Sequence, residues 1–242
     1  IWPLCIASLL DKNKNFFKNI SIYFFIFGIS ISTILTNSRS AWLGFLLGSL
    51  FVFKKKSFKF IISILITFSL IITATVLPIL GGKIQFLLQS IIPRSIWMEF
   101  ADFQYSRIEI WQKGIKFIFD NPLFGTGGGS FPEIFRLETG LWKGHAHNLP
   151  LELIISYGIP AGILILIPIL FITYRSIKII IFLKERETFT IYDQSWIASL
   201  VVLFFSQMVD VQYFDGRISI IFWILLSGAR NITNKNYQEQ YK

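Results

Sequence analysis

Lys143-Gly-His-Ala-His-Asn-Leu-Pro-Leu-Glu152, running on through Leu153 to Gly162, is where a long polar region gives way to an apolar span. Both histidines of the chain, His145 and His147, stand at this boundary. Histidine is the side chain whose unperturbed pKa lets it take or give a proton near neutral pH. Alone, such residues are ordinary loop or interfacial groups that hydrogen-bond the backbone, because proton chemistry also needs positioned partners. The residues on either side decide between those two readings.

Working outward, the composition supplies the class. The 242 residues are 53% hydrophobic, 17% aromatic and only 15% charged, with a mean hydropathy of +0.60. A soluble domain of this length carries more charge, so the expectation is an all-α, polytopic helical membrane protein. The formal charge of +9 does not imply nucleic acid. The basic residues cluster in short tracts beside apolar spans, as the positive-inside rule requires. A single cysteine, Cys5, excludes an internal disulfide, a cysteine-rich zinc site and an iron–sulfur cluster.

Six membrane segments are expected, several shorter than the roughly twenty apolar residues of an ideal span. Ile20 to Thr36 and Ser40 to Phe53 form a hairpin with Asn37-Ser38-Arg39 at its turn, and Phe58 to Leu80 follows. Leu149 to Tyr174, Trp196 to Val211 and Ile218 to Ala229 complete the set. Ile1 to Leu10 reads as the end of a truncated span, so the chain is expected to be the C-terminal part of a larger multi-span protein. The divisions are transmembrane helices over 1–80, a loop domain over 81–148, transmembrane helices over 149–229 and a cytoplasmic tail over 230–242. Lysine tracts at 12–18 and 54–59 place their ends in the cytoplasm, and most of the acidic residues fall on the other side. The 81–148 loop and both histidines therefore face outward.

Within that loop, Ile108, Trp111, Ile115 and Ile118 recur at helical spacing opposite Glu109, Gln112, Lys113 and Lys116. This is an amphipathic helix suited to the outer leaflet interface. It ends at Asp120-Asn-Pro-Leu-Phe-Gly-Thr-Gly-Gly-Gly-Ser130, a turn or flexible gate. The stretch lacks the Lys-Ser/Thr ending of a phosphate loop.

Two arginines stand where anions bind. Arg39 precedes a helix start, whose partial positive charge makes an adjacent arginine unfavourable unless an anion lies between them. Arg107 opens the amphipathic helix, one turn before Trp111. Gly158 and Gly162 form a small-xxx-small pattern that lets helices approach closely. Gly158 lies eleven residues beyond His147, which places the histidine above that packed seam if the helix reaches so far. His145 and His147, one residue apart, point the same way in an extended stretch and could share a metal, but no third ligand is evident.

Three patterns occur in order: Leu35-Thr-Asn-Ser-Arg-Ser-Ala-Trp-Leu-Gly44; Arg107-x-x-x-Trp111 leading to Asn121-Pro-Leu-Phe-Gly-Thr-Gly-Gly128; and His145-Ala-His-Asn148 before a glycine-bearing span. Over roughly residues 20 to 180 the chain resembles the bacterial O-antigen ligase and O-antigen polymerase family. The ligase pattern of His, Asn/Ser/Gln, nine residues and Gly-x-x-Gly/Thr/Val is matched at His147, Asn148 and Gly158. It departs at Ala161, with Gly162 one place late, which leaves ligase and polymerase both open.

The resemblance implies a multi-pass protein of the bacterial inner membrane that works at the periplasmic face. It would move a glycan from a polyprenyl-diphosphate donor to an acceptor hydroxyl on a glycan or lipid-linked molecule, with inversion at the anomeric carbon. Such a transfer needs a base for the hydroxyl and cations for the departing diphosphate. His147 fits the base and Arg39 and Arg107 the cations, with His145, Asn148, Trp111 and Gly158 in support. No cofactor is called for, since arginines can supply the charge that a metal would and no Asp-x-Asp motif is present. A transporter or transport accessory is the alternative, because some relatives are linked to bicarbonate uptake. That reading needs charged residues deep in the spans, and the only candidates, Glu152 and Asp210, lie near the outer ends.

Overall fold

The computed structural model describes residues 1–11, 16–35, 39–53, 55–77, 81–94, 97, 107–182 and 189–238, with side chains except at 16–19, 34, 39–40, 55–62, 64–65, 182 and 237–238. Among the described residues there are ten helices and no strand. They are α1 (Trp2–Leu10), α2 (Phe16–Leu35), α3 (Arg39–Phe53), α4 (Lys55–Val76), α5 (Gly82–Ile91), α6 (Arg107–Asp120), α7 (Phe131–Thr139), α8 (Leu149–Phe182), α9 (Ile191–Gln207) and α10 (Gly216–Gln238). Each of the six expected segments has a helix. Leu149–Ile181 is long and apolar enough to cross a membrane, while Ile20–Thr33, Ala41–Phe53 and Ile66–Val76 are shorter apolar runs. The fold is that of an all-α helical membrane protein.

Helix α9 is the centre of the bundle. Small residues let its neighbours close in: a Cβ on Gly44 would sit 3.2 Å from Val202, and one on Gly48 3.0 Å from Pro3. Backbones approach this way where lipid supplies no hydrophobic drive. The last carbonyls of α3 have no partner within their own helix, and the Gln194 amide donates to two of them, Phe51 O at 2.5 Å and Val52 O at 3.3 Å. Trp196 Nε1 donates to Leu225 O on α10 at 3.0 Å. Ile169, Leu200, Phe204, Phe222 and Leu226 fill the space between α8, α9 and α10.

Helix α8 breaks at Gly158, whose φ of 81° and ψ of 169° are not helical. Two causes meet there. Pro160 has no N–H for Ser156 O, and the turn at Gly158 takes the Ile159 N–H away from Ile155 O. The 121–127 loop satisfies all three groups: Thr126 N donates to Ile155 O (2.8 Å), Gly127 N to Ser156 O (3.0 Å), and Ile159 N to Pro122 O (2.8 Å). The approach is so close that a Cβ on Gly158 would strike the Leu123 carbonyl oxygen, and one on Gly125 would lie 2.5 Å from Gly158 N. Gly125 itself has φ 68°. The glycine-rich stretch is thus a turn docked on a helix break.

That finding corrects the reading of Gly158 and Gly162 as one face of a continuous helix. A Cβ on Gly162 would lie 3.0 Å from Ile154 Cα, so this glycine lets the second segment of α8 lie against the first. Helix α6 packs on the first segment through Ile110, Gly114 and Phe117, and a Cβ on Gly114 would come within 3.0 Å of both Leu151 and Ile155. The expected stripe divides accordingly. Trp111 and Ile118 join the buried cluster, whereas Ile108 and Ile115 are exposed on the far side with Phe119.

Candidate active site

The histidine turn is built from the start of α8. Asn148 caps the helix, its Oδ1 accepting from Leu151 N at 3.1 Å, which uses one of the unpaired donors at a helix N-terminus. His147 stands outside the helix with φ 53°. The helix starts at Leu149 and so does not reach as far as His147, whose backbone is left-handed. The peptide between the histidines is held from both sides. Trp111 Nε1 donates to Ala146 O at 2.9 Å, and Ala146 N donates to Glu152 Oε2 at 2.6 Å. Ala146 is fully buried and Glu152 is only 1% exposed.

The two imidazoles meet edge to face with ring centres 4.3 Å apart, and both converge on a third residue. His145 Nε2 lies 3.2 Å from Asp210 Oδ1, and His147 Nδ1 lies 3.5 Å from the same oxygen. The second contact is an electrostatic approach and not a hydrogen bond, since the buried His147 Nδ1 has no hydrogen-bond partner among the described residues. Asp210 arrives from elsewhere in the chain. Helix α9 ends at Gln207, short of the Val211 expected from the sequence, and the chain turns through Asp210 N to Ser206 O (2.9 Å) and Gln212 N to Gln207 Oε1 (2.8 Å). Val211 then packs with Leu149, Leu153 and Leu166, fixing Asp210 beside the start of α8.

The electrostatics follow from this convergence. Burial holds the His145 imidazole below its ordinary range, helped by the charges of His147 and Arg107 and opposed by Asp210. The contact with His147 leads the causes that keep the Asp210 carboxyl below the usual carboxylate range, against its own burial, and His145 and Arg107 add to it. Arg107 is exposed at the start of α6, near enough for its charge to act on both groups.

Three donor atoms, from His145, His147 and Asp210, lie within 4.8 Å of one another. This is the third ligand that the sequence did not reveal. His147 N donates to His145 Nδ1 at 3.3 Å, which in the neutral ring puts the hydrogen on Nε2, the nitrogen that faces Asp210.

The structure thus brings together His145, His147, Asn148 and Trp111, with Arg107 nearby. Gly158 acts at a distance, through the helix break. The side chain of Arg39 and the turn residues 36–38 lie outside the described residues. Asp210 and Glu152 are the members that sequence reasoning missed, having weighed them only as parts of a transport path. A carboxylate at the start of an apolar span calls for a partner, and that signal was available for Glu152. Asp210 is sixty-three residues from His147 and carried no comparable signal.

Comparison with known proteins agrees with this geometry. The family model described as O-Antigen ligase matches residues 24–166, more than half of the chain, from α2 to beyond the break in α8. The ComP-specific O-oligosaccharyltransferase of Acinetobacter baylyi (strain ATCC 33305 / BD413 / ADP1) is 30% identical over 179 residues, or 69% of this chain and 32% of the relative. The chain spans about a third of that curated relative's length. With the match running through Arg107, the histidine turn and Gly158, the chain belongs to the O-antigen ligase family.

Proposed function

We propose that the histidine turn is the transfer centre of a membrane glycosyltransferase. The enzyme moves a glycan from a polyprenyl-diphosphate carrier to an acceptor hydroxyl at the periplasmic face of the inner membrane. The observation that carries this reading is the single Asp210 carboxylate that gathers both imidazoles beside Arg107. The relative's name, an O-oligosaccharyltransferase, supports an oxygen acceptor and an oligosaccharide cargo.

In this reading His147 Nε2 removes the acceptor proton as the hydroxyl oxygen attacks the anomeric carbon. The bond to the diphosphate oxygen breaks with inversion, and the diphosphate departs with its electron pair. Asp210, 3.5 Å from His147 Nδ1, stabilises the imidazolium that forms by its charge. Arg107 and Arg39 meet the diphosphate charge, a task that suits the planar, permanently charged guanidinium. Because the arginines supply that charge, transfer needs neither nucleotide nor divalent metal.

Reconstitution tests the reading. Liposomes containing the full-length protein, a polyprenyl-diphosphate oligosaccharide and an acceptor glycolipid should form product without nucleotide and in the presence of a chelator. Product formation lost on chelation, or unaffected by Arg107→Ala, would overturn the assignment.

A further inference from the structure

His147 Nδ1 is a buried polar atom with no hydrogen-bond partner among the described residues. In a native protein such an atom calls for an explanation, and a bound ion is one of the few available. Its surroundings are a set of metal donors. Asp210 Oδ1 lies 3.5 Å from it and 3.2 Å from His145 Nε2, and the three atoms fall within 4.8 Å of one another. A tetrahedral zinc ion, with bonds of about 2.0 to 2.1 Å, sets its ligand atoms about 3.3 Å apart. The two edges that meet at Asp210 already have close to that length. Both histidine side chains are 27% exposed and that of Asp210 is 34% exposed, so an ion reaches them from solvent.

We propose that His145 Nε2, His147 Nδ1 and Asp210 Oδ1 form an inhibitory site for a divalent transition ion of the zinc class, which switches off metal-free transfer when it binds. Two imidazoles and one carboxylate suit zinc, whereas magnesium and calcium take six or more oxygen ligands. Three protein ligands leave one position for water. The inhibition rests on the reading of His147 as the base. A neutral imidazole has one lone pair and one hydrogen. Zinc on Nδ1 takes the lone pair there and leaves the hydrogen on Nε2, the nitrogen that has to receive the acceptor proton. The ion also neutralises Asp210, whose charge would stabilise the imidazolium. Two features oppose binding. Zinc on His145 Nε2 moves that ring's hydrogen to Nδ1, so the 3.3 Å bond from His147 N is given up, and the charge of Arg107 acts against a cation here. The affinity is therefore roughly micromolar, below that of a structural zinc site.

The first arm of the test reads binding and does not depend on catalysis. Equilibrium dialysis of the purified full-length protein against Zn²⁺ alone, with bound metal counted by mass spectrometry, should find a zinc that excess Mg²⁺ does not displace. His145→Ala, His147→Ala and Asp210→Ala should each weaken it by about tenfold or more, in variants whose thermal unfolding without metal matches the parent. The second arm reads transfer in liposomes. Zn²⁺ at its measured dissociation constant should halve the parent rate, a chelator should restore it, and transfer by His145→Ala, scaled to its own metal-free rate, should be indifferent to the same Zn²⁺. Zinc binding that is absent, or equal in the parent and the three variants, would overturn the site. Zinc bound there with transfer unslowed would overturn the inhibitory role. Failure of the metal-free reading would appear separately, as parent transfer lost on chelation before any zinc is added.

Discussion

Residues 149–157 and 159–182 belong to one helix, α8, and differ in what surrounds them. In the first segment Leu149, Glu152, Leu153, Ile155 and Ser156 are each exposed by 1% or less, and the carbonyls of Ile155 and Ser156 are taken by a loop. In the second, Leu164, Ile167 and Phe171 form an exposed apolar face, opposite buried Leu166, Ile169 and Thr173. One segment is enclosed by protein and carries the groups that hold the histidine turn. The other leaves one side exposed and turns the other to α9 and α10. The difference teaches that the break at Gly158 separates a positioning element from a membrane anchor, and that the polar groups gather where the loop clasps the helix.

The sharpest way to break this comparison is to disturb each segment once. Gly158→Ala places a methyl group against the Leu123 backbone in a left-handed conformation, so the loop must release the helix. Turnover should fall by roughly a hundredfold, the usual scale for displacing reacting groups by an ångström. Leu164→Ala, on the exposed side, should change stability by no more than about 0.5 kcal/mol and leave turnover near that of the parent. Equal effects in the two variants, measured by initial transfer rates and thermal unfolding in detergent, would remove the distinction between the segments.

A smaller effect is expected at Asp210. Asp210→Asn keeps the shape but removes the negative charge that lies beside both imidazoles. Turnover should drop by roughly tenfold or more, with donor binding retained, because proper protonation of the base is lost rather than diphosphate contact. Parent-like kinetics would show that Asp210 is only a loop anchor.

The smallest effect is on stability against pH. The folded state binds a proton at His145 and at Asp210 less readily than the unfolded chain does. Stability should therefore fall as pH drops below about 6.5 for His145 and again below about 3.8 for Asp210. Both groups are only half-buried, so each contribution should stay under about 1 kcal/mol. Thermal unfolding at pH 7.5 and pH 5 should show a decline that His145→Gln flattens.

The helical segments and the position of the histidine turn at the start of an apolar helix were legible because composition and local spacing carry them. Apolar runs between lysine tracts define helices without reference to anything distant. What stayed hidden depended on contacts between remote stretches. Asp210 reaches the histidines only because α9 ends early and Val211 packs beside Leu149. Gly158 read as a packing glycine because its partner, the 121–127 loop, lies some thirty residues upstream and donates through backbone N–H groups that any sequence could supply. The stripe on α6 was misdivided for a related reason: the helix is apolar on two sides, and Gly114, which has no side chain to reveal a face, marks the side that packs.

The central claim is that His147 takes the acceptor proton. The direct measurement compares His147→Ala with the parent under single-turnover conditions in liposomes, with the polyprenyl-diphosphate oligosaccharide donor prebound and its affinity measured in parallel. The account predicts that transfer slows by at least about a hundredfold while donor affinity stays within a few-fold of the parent. A transfer rate unchanged in His147→Ala, with the protein folded and the donor bound, would contradict it.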